Sequence, residues 1–210
     1  MQNLELGEIR IGASDMTLQY YLLPYLEKFH EQYPEIKVTV TNAPTPETLN
    51  FLKEGRIDFG IVSTPFKEMT DLKITDVREI EDVFVAGRRF IGYKNKTLDL
   101  QELETLPLIC LEKNTSTRNY MDEYLEQNHV MIQPEFELAT SDMIVQFALR
   151  NLGVASIVKD FAKDYVESGL LFELRFNKII PKRKFCVVQN TKMPLSASAH
   201  KLLEVMELEK

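Results

Sequence analysis

Residues 7–40 read GEIRIGASDMTLQYYLLPYLEKFHEQYPEIKVTV, and residues 52–62 read LKEGRIDFGIV. Alternation around Ile9 and Ile11 predicts a strand over Glu8–Ala13. Ser14 and Asp15 follow. Leu18, Tyr21, Leu22, Tyr25, Leu26 and Phe29 then recur at the spacing of one helix face. Pro24 lies inside that pattern, so it either sits near a first turn or kinks the helix. Tyr33-Pro34 closes the helix, because the residue before a proline avoids helical angles. Ile36–Thr41 alternates again and predicts a second strand. Thr45-Pro46-Glu47 has the order of N-cap, N1 proline and first-turn acid. The helix it starts, Pro46–Glu54, buries Leu49 and Leu52 and stops at Gly55 as a C-cap. Ile57–Val62 is short and mostly apolar, as a strand covered on both faces should be. Strands alternating with helices imply parallel β-α-β units with right-handed crossovers.

Further along the chain the same order returns. Leu108–Leu111 is an apolar strand, and Thr115-Ser116-Thr117 caps a helix carrying Tyr120, Met121, Tyr124 and Leu125. Phe136–Ala139 is another strand. Thr140-Ser141-Asp142 starts a helix with Ile144, Phe147, Ala148 and Leu152, Gly153 ends it, and Val154–Val158 is again apolar. Residues 149–158, LRNLGVASIV, hold the place of LKEGRIDFGIV in the first half. The expected fold class is α/β with two similar lobes. Lobe I comprises residues 1–79 plus 183–210, and lobe II residues 80–182. Thr75–Val85 joins them. The tail from Phe185, a strand, the turn Lys192-Met193-Pro194 and a helix from about Ser196, is expected to return to lobe I. Two crossing strands then form a hinge, with a ligand cleft between the lobes.

The bulk numbers agree with this and narrow the function. The 210 residues are 44% hydrophobic and 27% charged, enough for one large domain or two lobes with their own cores. A net charge of −7 makes the chain a poor stand-alone DNA binder, since neutralising phosphates needs clustered Lys and Arg. Two cysteines, Cys110 and Cys186, imply no disulfide framework and a reducing compartment. The first residues carry no basic region followed by an apolar run. No apolar stretch approaches the roughly 20 residues of a membrane span. A cytoplasmic protein without membrane contact is expected.

Open α/β sheets bind ligands beyond the carboxyl ends of their strands, where helix N-termini point. Small hydroxyls gather at those turns: Ser14, Asp15 and Thr17; Thr45; Ser63 and Thr64; Asn114, Thr115, Ser116 and Thr117; Thr140 and Ser141. Helix N-termini present N–H groups and a positive dipole end, which suits a carboxylate, phosphate or sulfate. Any one of these residues is more simply a helix cap. As a set recurring in both halves they mark a ligand cleft. Catalysis finds no constellation: His30, His129 and His200 are scattered, and HExxH, CxxC, GxSxG, Walker and GxGxxG motifs are absent. Glu81 and Asp82, adjacent in a crossing strand, point to opposite faces. Cys110 before a hydroxyl-rich turn raises a redox switch, with buried structural cysteine the stronger reading. Lys182-Arg183-Lys184 reads as a solvated turn at a crossing rather than a nucleic-acid patch. Arg118, beside the Thr115–Thr117 cap, is either an anion ligand or an exposed helix arginine.

GEIRIGAS, YYLLPYLEKFHEQYPEIKVTV, LKEGRIDFGIV and LATSDMIVQFALRNLGVASIV resemble, in order and spacing, the effector-binding domain of LysR-type transcriptional regulators. The resemblance runs from about Gly7 to about Leu208, and LLPxLxxFxxxYP together with LxxGxID is its specific part. It implies a type 2 periplasmic-binding-protein fold with a small-molecule inducer, a polar metabolite or carboxylate, held by the same turns and without cofactor, metal or catalysis. Asp15 stands where anion-binding members often carry a neutral polar residue, so it caps the helix or receives an amino group. The resemblance also implies a winged helix-turn-helix and linker helix preceding Glu5, so that DNA is contacted only through that missing part. It further implies a homodimer, or a tetramer in the full-length protein. Pairing would set Tyr20, Tyr21 and Tyr25 of the first helix against Tyr120 and Tyr124 of the second lobe's helix. A transporter's solute-binding protein shares this fold, and so do some enzymes. The missing leader argues against the first, and the missing acid/base set against the second.

Overall fold

A computed structural model describes residues 7–67 and 69–209. Glu5, where the linker helix was expected to end, lies outside the described residues. Two compact units divide the chain: one runs up to Arg78 and resumes at Lys184, and the other is Glu79–Arg183.

In the first unit β1 (Glu8–Ala13) leads into α1 (Asp15–Thr17), a π-helical segment (Leu18–Leu22) and α2 (Leu23–Gln32). The π segment accounts for Pro24. The Leu23 amide donates to the Leu18 carbonyl, five residues back, and the helix restarts with Pro24 in its first turn. Proline has no N–H to offer the Tyr20 carbonyl, and the Arg78 guanidinium donates to it. β2 (Lys37–Asn42) follows, starting one residue later than its alternation predicts. α3 (Thr45–Lys53) has Pro44 as its N-cap, so Thr45 is its first helical residue and not its cap. Leu49 and Leu52 are buried, and Gly55 takes the left-handed φ of +69° expected of a glycine after the last turn. β3 (Phe59–Ser63) and β4 (Leu72–Ile80) complete the outward pass. The LxxGxID stretch ties β1 to β3: Asp58 accepts from the Arg10 amide at 2.7 Å and pairs with its guanidinium at 3.3 Å, while the Asp58 amide donates back to the Arg10 carbonyl.

The second unit contains β5 (Asp82–Ala86), β6 (Thr97–Leu98), β7 (Leu108–Leu111) and α4 (Ser116–Gln127). Then come β8 (Phe136–Leu138), α5 (Ser141–Leu149), β9 (Val154–Val158), α6 (Lys159–Glu167), β10 (Phe172–Glu173) and β11 (Arg175–Phe176). α5 stops at Leu149, earlier than the sequence pattern predicts. Asn151, with φ 61°, turns the chain, and Leu152 is exposed. Gly153 has another reason to lack a side chain: a Cβ there would lie 2.5 Å from the Pro107 carbonyl oxygen. β12 (Arg183–Asn190) and α7 (Ala197–Val205), capped by Ser196, form the tail.

The tail returns to the first unit as expected, with β12 antiparallel to β3. That sheet has the order β2-β1-β3-β12-β4, and the second, read from its other edge, is β8-β7-β9-β5-β10. The two orders correspond strand for strand. Three parallel strands (β2-β1-β3 and β8-β7-β9) adjoin one antiparallel strand, β12 or β5. Apolar side chains fill both units: Ile9, Ile11, Phe29, Phe59 and Phe185 in the first, and Phe84, Leu100, Leu103 and Leu108 in the second, each at most 1% exposed. Burying a side chain of this size contributes about 1.5–3 kcal/mol.

Candidate functional site

Strand order places the candidate residues. β1 lies between β2 and β3, and β7 between β8 and β9, so successive crossovers leave the central strand in opposite directions. The crevice at such a switch point is where α/β sheets receive ligands. The turn after β1 carries Ser14, Asp15 and Thr17, and the turn after β7 carries Asn114–Thr117.

In the first unit the turn is tightly built. Ser14 Oγ accepts from the Thr17 amide at 3.2 Å, and Thr17 Oγ1 accepts from the Ser14 amide at 2.9 Å, a reciprocal capping box. Thr17 Oγ1 also lies 3.1 Å from the Ile61 carbonyl of β3, and the side chain is buried. Asp15 caps locally, Oδ1 accepting from the Met16 amide at 2.9 Å. Thr45 and Ser63 meet, the Ser63 amide donating to Thr45 Oγ1 at 3.3 Å. Thr64 pairs with β12 through the Lys184 amide and carbonyl, both at 2.9 Å. Thus the structure brings Ser14, Thr17, Thr45 and Ser63 to the carboxyl ends of β1 and β3, and Thr64 to the neighbouring edge of β12.

In the second unit Thr115 is the N-cap of α4, its oxygen accepting from the Arg118 amide at 3.2 Å. Asn114 is exposed, while Ser116 and Thr117 are buried. Thr140 starts α5 without a side-chain cap bond and is exposed, and Ser141 is buried beside it. Since β7 and β8 are parallel neighbours, the two turns share one end of the sheet.

Two arginines overturn their sequence readings. Arg183 is no solvated turn residue: its side chain is 2% exposed and lies within β12. Its Nε and Nη2 donate to the Asp82 carboxylate at 2.6 and 2.7 Å, Nη2 donates to Thr117 Oγ1 at 3.1 Å, and the guanidinium sits 5.0 Å above the Tyr120 ring. Arg118 is neither exposed nor a free anion ligand. At 4% exposure it binds Asp122, Glu137 and the Leu111 carbonyl. Burial works to lower its pKa, but the hydrogen bonds it donates to both carboxylates outweigh that and hold the pKa above its ordinary value. Sequence reasoning missed Asp82 as a partner, although an acid inside the apolar run DVFVA is a signal of one.

The tyrosines expected at an interface also have partners within their own units. Tyr21 is buried and packs on Tyr25, with ring centroids 5.3 Å apart. Tyr124 donates to the Ile179 carbonyl at 3.1 Å, and Tyr120 donates to the Pro181 carbonyl. Both cysteines are buried thiols. Burial pushes the Cys110 thiol up to about 12 in spite of Arg118, and burial with the Asp76 carboxylate pushes Cys186 up to about 12. Neither is ionised near neutral pH, which removes the basis for a thiolate switch. Among the described residues no group of three or more His, Cys, Asp or Glu side chains could hold a metal ion, and no helix is long and apolar enough to cross a membrane.

Two α/β units, each with a hydroxyl-rich turn at its switch point, define the class: a two-lobed binding domain of the type 2 periplasmic-binding-protein kind. Within that class the family is settled by sequence, for the model of the LysR substrate-binding domain matches residues 2–208, and the chain belongs to that family. Relatives include a probable RuBisCO transcriptional regulator of Cyanophora paradoxa, 26% identical over 196 residues, covering 90% of this chain and 60% of that protein. The regulator CysL of Bacillus subtilis is 23% identical over 188 residues, covering 89% of this chain and 62% of CysL. The chain thus spans about three fifths of the length of these relatives. The regulatory domain of Synechocystis PCC6803 CcmR, solved in complex with 2-PG, superposes with a TM-score of 0.84 at 21% identity over 97% of this chain and 98% of that one. The effector-binding domain of QuiR in complex with shikimate gives 0.80 at 14% identity, over 95% and 94% of the two chains. At these identities the structural likeness speaks for the fold alone.

Proposed function

We propose that this chain is the effector-sensing part of a LysR-type transcriptional regulator, working in the cytoplasm without catalytic turnover. A small polar metabolite carrying a carboxylate or phosphate is received by the hydroxyl-bearing turns. One observation carries this reading. Both switch-point turns have the same local design, Ser14 before α1 and Thr115 before α4, each capping the amide three residues on. Such turns present backbone N–H groups and a positive dipole end to an anion. Related domains bind 2-PG and shikimate, both acids, which makes these two the compounds to try first. DNA is contacted by a part of the full-length protein outside this chain. That protein is a homodimer or tetramer, paired through the face of the first helix that carries the exposed Leu23 and the half-buried Tyr20 and Tyr25.

Calorimetric titration with 2-PG and with shikimate tests the proposal, and Asp15→Asn sharpens it. Removing a carboxylate from the β1 turn should tighten an anionic effector by several-fold, because it takes away a like charge. Weaker binding in Asp15→Asn would point to an effector anchored by an amino group, contrary to the proposal. Absence of heat for a panel of metabolite acids would count against the turns as a site.

A further inference from the structure

A groove of about 380 Å³ lies wholly within the second unit, between β5 and the segment Glu173–Lys182. It has no part in the switch-point turns. Its floor is the edge of the unit's core: Val83, Phe84 and Leu174 are buried, and Phe176 and Ile180 are half-buried against that core. Phe176 meets Phe84 edge-on, with centroids 5.5 Å apart, and leaves part of its ring toward the groove. The volume falls within the range of about 300–1,000 Å³ usual for small-molecule sites.

Charge at the rim is unevenly satisfied. Every carboxylate lining the groove is already paired. Asp82 holds Arg183, Glu81 holds Lys159 and Lys182 at 3.2 Å each, and Glu173 holds Lys159 at 3.4 Å. Hydrogen bonds from Lys159 and Lys182 keep the Glu81 carboxyl below the usual carboxylate range, so it stays ionised and engaged. Arg175 and Lys178 also line the groove and are exposed, and their side chains make no ion pair or hydrogen bond with any described residue. An apolar floor under two uncompensated cations complements a molecule with an apolar body and one negative end.

We propose that this groove is a second ligand site, independent of the switch-point turns, for a small carboxylate with an aromatic or branched apolar body. The carboxylate would face Arg175 and Lys178, and the body would lie on Phe176 and Ile180. The test uses the whole chain with 3-phenylpropionate as the probe and 3-phenylpropanamide as its neutral isostere, read by backbone amide shifts and titration. Phenylpropionate should shift the amides of Phe84 and Glu173–Lys182, and phenylpropanamide should bind at least tenfold more weakly. Arg175→Gln combined with Lys178→Gln should weaken phenylpropionate at least tenfold while leaving the melting temperature and the shifts caused by 2-PG unchanged. Equal binding of the amide, undiminished binding by the double variant, no binding at all, or shifts at Ser14–Thr17 and Thr115–Thr117 instead would each overturn the assignment.

Discussion

At the scale of the residue, the most consequential pair is Asp82 with Arg183, both at most 2% exposed in their side chains. Two charges removed from water are tolerable only with near-complete mutual satisfaction, and Arg183 also serves Thr117 and the Tyr120 ring. Arg183→Met should therefore destabilise the chain by about 3–5 kcal/mol in urea unfolding, because it strands the Asp82 carboxylate. Adding Asp82→Leu should recover a large part of that loss, since the stranded charge goes with it. An Arg183→Met variant of native stability would show the pair to be energetically idle. This pair was the least legible part of the sequence. Lys182-Arg183-Lys184 looks like a solvated run because local composition says nothing about a partner 101 positions away. The same holds for Arg118, whose partner Glu137 sits on β8. The hydroxyl set was easier to find, because a Ser or Thr before a helical pattern has a local signature. What the signature cannot tell is whether a hydroxyl turns inward, as Thr17 does toward Ile61, or stays at the surface, as Thr140 does.

At the scale of the element, the first helix shows how sequence and packing share the work. Its apolar spacing predicts one helix through Pro24, and the missing proline amide predicts trouble at that point. The π segment and the Arg78 donation to the Tyr20 carbonyl are the resolution. Periodicity could not reveal it, since the donor lies on β4, 58 positions away. Arg78→Met should cost about 1–3 kcal/mol, the usual loss when a hydrogen bond from a charged donor is removed. In a Pro24→Ala background the cost should be smaller, because an alanine amide can donate to that carbonyl. A double-mutant cycle by thermal or urea unfolding measures the coupling, and strict additivity would mean that Arg78 does not stand in for the proline. Helix ends were the other weak point. Thr45 and Gly153 carry the right chemistry for a cap and a stop, yet Pro44 and Asn151 perform those functions.

At the scale of the whole molecule, the order of elements was legible because hydrophobic periods of two and of 3.6 persist along most of the chain. The repeat of strand, turn, helix, strand, helix, strand in both halves is matched by two sheets of corresponding strand order. That correspondence is the physical basis of the central claim. If both switch points are built alike, the turn of each unit can receive a small acid. Titration of the isotopically labelled chain with 2-PG and shikimate, followed through backbone amide resonances, tests this most directly. The account predicts saturable shifts at Ser14–Thr17, at Thr115–Thr117 or at both for at least one of the two acids. Saturable shifts confined to other parts of the chain would contradict it.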